Sequence, residues 1–366
     1  MKNISQVSPW VDNEELGALE KSIKEKWLTE GPHTKKFIDK LIDLTGSKYI
    51  LPVPNGTLGL FMALLAFDPK EEDEIIIPSF TFFGSASAAH FAGFKPVFCD
   101  VNPVTYMMDL DDLKKKITSK TRVVMPVNIY GKSHSFKSII DFCHSNNIFV
   151  LEDGAQSIGV FNEEGIHSSI SGDIGVISFF ADKTITTGEG GIVLVQDKNL
   201  YEKLKLIRNQ GRPNSGTFIH PSFGMNFRIT DMQAGLGISQ LDKLDQIINF
   251  KRDLFSYYNE KIQNHEQIIK PVIKKNNKDV PFRYYFQVKK DKQLLIDHLE
   301  RNNIQTRSFF YPMHLQPSII SRYGSQSPCP VSEELNKTGL CLPLHHELTK
   351  KDIDYIAECL NNFFDK

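Results

Sequence analysis

A chain of 366 residues is long enough for a large core and two structural units. A net charge of −1, with 24% charged and 40% hydrophobic residues, excludes a predominantly electrostatic partner such as nucleic acid or an anionic membrane. No apolar run reaches membrane-spanning length, MKNISQVSPWVDNEE lacks a signal-peptide core, and the five cysteines show no CxxC spacing. The expectation is a cytoplasmic protein with reduced thiols, no disulfide frame and no metal site.

Residues 12–26 carry Leu16, Leu19 and Ile23 at helical spacing, and residues 34–44 form a second helix after the break WLTEGP. A strand at 50–53 leads through Pro54-Asn55-Gly56-Thr57 into an apolar helix, 58–67. A Gly-Thr step at a helix start presents unpaired N–H groups to a phosphate; Thr57 as a plain N-cap is the alternative. The strand 74–78 turns through PSFTFFGSASAAHFAG, where Phe80, Phe82 and Phe83 either stack on a flat ring or pack in the core. Strands at 95–100, 121–127 and 147–152 alternate with helices at 110–117 and 134–145, the pattern of an α/β fold with a largely parallel sheet.

The stretch IGVISFFADKTITTGEGGIVLV, residues 174–195, then reads as two strands around a loop of small residues, with Lys183 at its start. Open α/β sheets bind ligands at the carboxyl ends of their strands. A lysine stripped of water there loses its proton easily and becomes a nucleophile towards aldehydes. Asp153 ends the preceding strand thirty residues earlier, in LEDGAQ, so both side chains can face one crevice. A lysine and an acid so placed match what pyridoxal phosphate needs, an amine for the Schiff base and a carboxylate beside the pyridine nitrogen. Gly56, Thr57 and Ser178 then become phosphate donors. The GEGG run leads into a strand rather than a helix, so the dinucleotide fingerprint fails. After a helix at 199–209 and a polar loop at 211–222, a long helical stretch from 231 to about 262 leaves this unit. The expected division is 1–245, a large α/β domain with a mostly parallel seven-stranded sheet, and 246–366, a smaller α+β domain. In the latter, 284–288 is strand-like, 292–302 helical, and PMHLQP and LPLHHELT are loops.

Seven stretches, KWLTEGPHTKKFI, NGTLGLFMALLA, PSFTFFGSASA, VLEDGAQSIG, SFFADKTITTGEGGIV, GMNFRITDMQAGLGISQL and FFYPMHLQP, resemble in order those of the DegT/DnrJ/EryC1 sugar-nucleotide aminotransferases, pyridoxal-phosphate enzymes of fold type I. The resemblance covers nearly the whole chain. It implies that Lys183 is the Schiff-base lysine and proton shuttle and that Asp153 pairs with the ring nitrogen. It places Gln156 near the ring hydroxyl, Phe82 on the ring face, and Gly56, Thr57 and Ser178 on the phosphate. It also implies a homodimer with shared active sites, in which Asn226 reaches the neighbour's phosphate. Glu189, Arg307 and His314 fall beside the substrate opening. Leu58 and Gly154 depart from the family, where alanine, and alanine or cysteine, are usual.

A lysine at 183 argues against the branch that carries histidine there and removes a hydroxyl at C3. SFFADKTITTGEGG and FFYPMH are most similar to the perosamine synthase branch. That likeness implies amination at C4 of a nucleotide-linked 4-keto-6-deoxyhexose, GDP-4-keto-6-deoxymannose, with L-glutamate as donor; a dTDP- or UDP-linked 4-keto or 3-keto sugar is the alternative. With no strongly basic tract, the diphosphate falls to a few placed cations, for which Arg212, Arg228 and Arg307 are the candidates.

Overall fold

The computed structural model describes residues 3–214, 216, 218–272 and 278–365. Helix α1 (Asn13–Lys24) starts on a capping box: Asp12 accepts the Glu14 N–H, and Glu15 accepts that of Asp12. Helix α2 (Pro32–Thr45) opens on a proline and closes on Gly46 at φ 72°. The alternation follows in chain order: β1 (Tyr49–Val53), α3 (Gly56–Leu65), β2 (Glu74–Pro78), α4 (Phe83–Phe91), β3 (Lys95–Cys99), α5 (Leu110–Lys116), β4 (Thr121–Val124), α6 (Lys137–Ser145) and β5 (Phe149–Asp153). Then come β6 (Ile174–Ser178), β7 (Gly191–Val195), α7 (Lys198–Arg208), α8 (Asp231–Asp242) and α9 (Leu244–Lys261).

The seven strands form one sheet in the order β1-β7-β6-β5-β4-β2-β3. β7 runs antiparallel to both neighbours; the other pairs are parallel. β2, β6 and β7 are buried along their whole length, which is why EIIIP, IGVIS and GIVLV read as apolar runs without alternation. The carboxyl ends of β1, β2, β4, β5 and β6, with the amino end of the reversed β7, meet at one edge of the sheet. That edge gathers the turns holding Gly56, Phe82, Asp153 and Lys183.

The rest of the chain contributes β8 (Ile268–Ile269), β9 (Tyr284–Val288), α10 (Lys292–Arg301), β10 (Arg307–Ser308), α11 (Pro317–Tyr323), α12 (Pro330–Thr338), β11 (Gly339–Leu342) and α13 (Lys350–Phe364). Its antiparallel sheet has the order β10-β11-β9-β8. One apolar cluster joins Ile76, Val124 and Val150 of the first sheet to Tyr284, Phe286 and Leu342 of the second. The two sheets thereby share one apolar core.

The stretch expected to be one helix from 231 to about 262 is two, broken at Lys243 (φ −109°, ψ 12°). The buried Lys243 ammonium turns inward there onto Asp12 Oδ2 at 2.9 Å and Glu15 Oε2 at 2.7 Å. All five cysteines are buried thiols. Among the described residues no helix is long and apolar enough to cross a membrane, and no cluster of side chains is arranged to hold a metal.

Candidate active site

The carboxyl edge of the large sheet opens into a cleft of about 600 Å³, closed on the far side by Phe282, Arg283, Arg307 and Phe310. Asp153 lies on its floor, 4% exposed. Its Oδ2 accepts the Ser85 hydroxyl proton at 2.7 Å and its Oδ1 the Ala155 N–H at 3.1 Å. Burial pushes this carboxyl above its ordinary value, opposed by those two donors and by Lys183. Lys183, in the turn after β6, is mostly buried, with its ammonium 4.8 Å from the Phe282 ring centre and 3.9 Å from Asp182 Oδ1. Burial lowers its proton affinity, against the pull of Asp182 and Asp153. A desolvated amine and a buried carboxylate therefore share one cavity.

Helix α3 begins at the same edge. Asn55 caps it, accepting the Leu58 N–H at 2.9 Å, and the Asn55 carbonyl takes that of Gly59. This leaves the first two amides, of Gly56 and Thr57, at the cleft, whereas the Leu58 amide belongs to the cap. Position 56 must be glycine because a Cβ there would lie 2.9 Å from the Ser178 Cβ. That close approach brings the Ser178 hydroxyl beside the helix start, and the three donors outline an anion cradle.

Gln156 lines the cleft with its Oε1 already committed, accepting the Tyr130 N–H at 2.7 Å. That bond holds Tyr130 at φ 57°, a strained conformation for a bulky residue. The Gln156 amide nitrogen remains for a ligand. Phe82 N-caps α4 and is 62% exposed inside the cleft, a face a flat ring can cover; Phe80 is fully buried.

Glu189 and Arg307 line the opening. The structure does not bring His314 into the cleft: it is 2% exposed, with Nδ1 2.7 Å from the Ser79 hydroxyl and Nε2 3.2 Å from Glu333 Oε1, so both ring nitrogens are in use. Asn226, Arg212 and Arg228 also lie outside the cleft of this chain; the Arg228 guanidinium donates to Asn209 Oδ1 at 2.7 Å. Ser215 and Thr217, in the polar loop at 211–222, lie outside the described residues.

Sequence reasoning missed Arg283, which is 5% exposed and donates to Asp182 Oδ2 at 2.7 Å. Its signal was a single cation inside the apolar run VPFRYYFQV, a position a core strand does not tolerate without a partner. Ser85, the hydroxyl on Asp153, carried no such mark.

A family model described as the DegT/DnrJ/EryC1/StrS aminotransferase family matches residues 9–361. The chain belongs to that family. It is a pyridoxal-phosphate-dependent sugar aminotransferase. The GDP-perosamine synthase of Escherichia coli O157:H7 is 33% identical to it over 371 residues, spanning 100% of this chain and 99% of that one. Among solved structures, a DegT DnrJ EryC1 StrS aminotransferase from Brucella abortus superposes with a TM-score of 0.89 at 26% identity, covering 97% and 96% of the two chains. The E. coli GDP-4-keto-6-deoxy-D-mannose-3-dehydratase, solved with bound hydrated pyridoxal phosphate, superposes with a TM-score of 0.88 at 25% identity over 98% and 100%. The cleft of this aminotransferase suits the same cofactor: a buried carboxylate for the ring nitrogen, an exposed phenyl face for the ring, an anion cradle for the phosphate and a desolvated lysine.

Proposed function

We propose that this aminotransferase moves an amino group from L-glutamate to C4 of a GDP-linked 4-keto-6-deoxyhexose, forming a 4-amino-4,6-dideoxy sugar nucleotide. The observation that carries the reading is full-length similarity to a GDP-perosamine synthase, together with a cleft that retains both Lys183 and Asp153. Pyridoxal phosphate, when bound, supplies the carbonyl and the electron sink. Asp153 keeps the ring nitrogen protonated, and Gly56, Thr57 and Ser178 fix the phosphate. Lys183, whose proton affinity burial lowers, takes the α-proton of the donor and returns it, then runs the same exchange in reverse on the sugar. One cleft receives both substrates in turn, giving ping-pong kinetics. Glu189 and Arg307 meet the sugar nucleotide at the opening.

The same reading makes the active unit a homodimer. Phe218 and Phe223 are almost entirely exposed on the loop before Asn226, an apolar face that a second copy would cover. Asn226 of the partner subunit then reaches the phosphate that Gly56, Thr57 and Ser178 hold.

The test is incubation with L-glutamate and GDP-4-keto-6-deoxymannose. Formation of 2-oxoglutarate and a 4-amino product, by mass and NMR, is expected. Turnover restricted to a dTDP- or UDP-linked sugar would overturn the nucleotide, and a 3-amino product the regiochemistry.

A further inference from the structure

Asp182, Lys183, Phe282 and Arg283 border two cavities: the cleft, and a second of about 30 Å³. The outer wall of the small cavity is the N-terminal segment, residues 6–10. That segment is pinned at both ends. The Gln6 N–H donates to Gln305 Oε1 at 3.0 Å, and the Trp10 carbonyl accepts from Gln240 Nε2 at 2.7 Å.

Among the described residues, ten buried side-chain nitrogen and oxygen atoms lack a hydrogen-bond partner, and six of them belong to residues lining this one cavity. They are both amide atoms of Gln6, Asp182 Oδ1, Thr184 Oγ1, His345 Nδ1 and His346 Nδ1. Folded chains leave few such atoms, and a concentration of them points to a ligand. Gln6, Lys251 and His345 are each more than nine-tenths buried.

The set mixes donors with acceptors. Gln6 Nε2 donates and Gln6 Oε1 accepts. His345 Nε2 lies 2.9 Å from the Ser5 carbonyl, which only accepts, so the proton sits on Nε2 and Nδ1 offers a lone pair. Among the described residues the Lys251 ammonium holds a single long bond, 3.5 Å, to the Phe282 carbonyl. An anion here would face Asp182 and the His345 lone pair; a metal ion would face Lys251 and Arg283. Water satisfies both senses, and the volume suits one or two molecules.

We propose that this cavity is an internal water site, and that Gln6 and Lys251 are positioning residues acting on Lys183 through that water and Asp182. The geometry leaves room for it: Asp182 Oδ2 is taken by Arg283, while Oδ1 stands 3.9 Å from the Lys183 ammonium, beyond a direct hydrogen bond. The charges around the lysine are the anions Asp182 and Asp153 and the cations Arg283 and Arg307. Lys251 feels Arg283 and Asp182, and burial brings its ammonium down to about 8. His345, with His346 and Glu347 beside it, has its proton affinity lowered by burial. Water joining these groups to Asp182 would set how readily the lysine-bound nitrogen keeps its proton.

The inference rests on Lys183 carrying the cofactor, so two measurements are paired. The first is a crystal structure of the holoenzyme at a resolution that shows waters. Ordered density about 3 Å from the Gln6 amide and Asp182 Oδ1 is expected; a dry cavity, or Gln6 bonded directly to His345, overturns the site. The second is a pH titration of the visible band of the lysine-bound cofactor. Lys251→Met, which removes a buried cation, should raise its midpoint by about one pH unit, and Gln6→Leu, which fills the cavity, should lower it by a similar amount. If Gln6→Leu does not fold, Gln6→Met takes its place. Density with unmoved midpoints overturns the positioning role. A wild-type protein that gains no visible band with pyridoxal phosphate overturns the reading of Lys183 instead, whatever the density shows.

Discussion

At the floor of the cleft Asp153 and Ser178 end strands of the central sheet and are 4% and 6% exposed, whereas at the rim Phe82 and Arg307 stand 62% and 55% exposed on a turn and a two-residue strand. The floor is built by backbone: strand ends, a helix start and a glycine with no room for a side chain. Its groups are buried and hydrogen-bonded before any ligand arrives, the preorganisation that electrostatic catalysis requires. The rim is built by side chains that one subunit leaves partly bare. The floor therefore carries the groups suited to the reaction and to the phosphate, while a sugar nucleotide would be met at the rim and at whatever covers it.

The largest effect expected on that division is at Lys183. Lys183→Ala should abolish transamination and remove the visible band formed with pyridoxal phosphate, while equilibrium dialysis still detects cofactor binding through the phosphate cradle. Residual turnover would move the proton shuttle elsewhere.

Asp153→Asn should come next, with kcat/KM down by a factor of about 10² to 10³, since an amide cannot hold the pyridinium proton. The same variant should stabilise the cofactor-free protein. Burial raises the Asp153 carboxyl above its ordinary 3.8, so the folded chain binds that proton more tightly than the unfolded one. The cost to folding is absent below the unfolded value and grows as pH rises through the folded one. Thermal melts of the cofactor-free proteins should show the variant a few degrees higher at neutral pH, with the advantage vanishing below about pH 4. An advantage that persists in acid would assign it to something other than the buried charge.

The smallest effect falls on the rim. Asn226→Ala should weaken cofactor retention by roughly tenfold, the cost of one hydrogen bond to a charged group. Mixing it with Lys183→Ala subunits should restore some activity through hybrid dimers that hold one intact site. Hybrids that form and stay inactive would separate Asn226 from the neighbour's phosphate.

The floor was legible in the sequence because each of its residues ends a short apolar run, so chemistry and position are written in the same few letters: LEDGAQ for Asp153, ISFFADK for Lys183. Arg283 was not, because it reaches Asp182 from a hundred residues away and only its oddity in an apolar run marked it. His314 sits in a stretch that looks exposed, PMHLQP, but Ser79 and Glu333 draw it inward, and neither lies near it in the chain. The break at Lys243 was hidden for the same reason: its cause is a pair of carboxylates in α1. α12 and β11 also went unread, since PVSEELNKT and GLCL are too short to show a period.

The reversed strand β7 has a consequence for the order in which this catalyst assembles. Because β7 pairs antiparallel with β6, the lysine lies in the connection of a local hairpin, residues 179–190. The phosphate cradle instead requires β1 to find β7 from the other end of the domain, Val53 opposite Gly191. Local pairings close early and distant ones late, because loop closure costs more entropy the longer the loop. A refolding chain should thus acquire its nucleophile before it acquires the means to hold the cofactor. Pulse-labelled hydrogen exchange should show amides of Ile177 and Ile192 protected ahead of that of Leu51, and a newly made chain should then pass through a stage with its lysine loop formed and no pyridoxal phosphate to shield it.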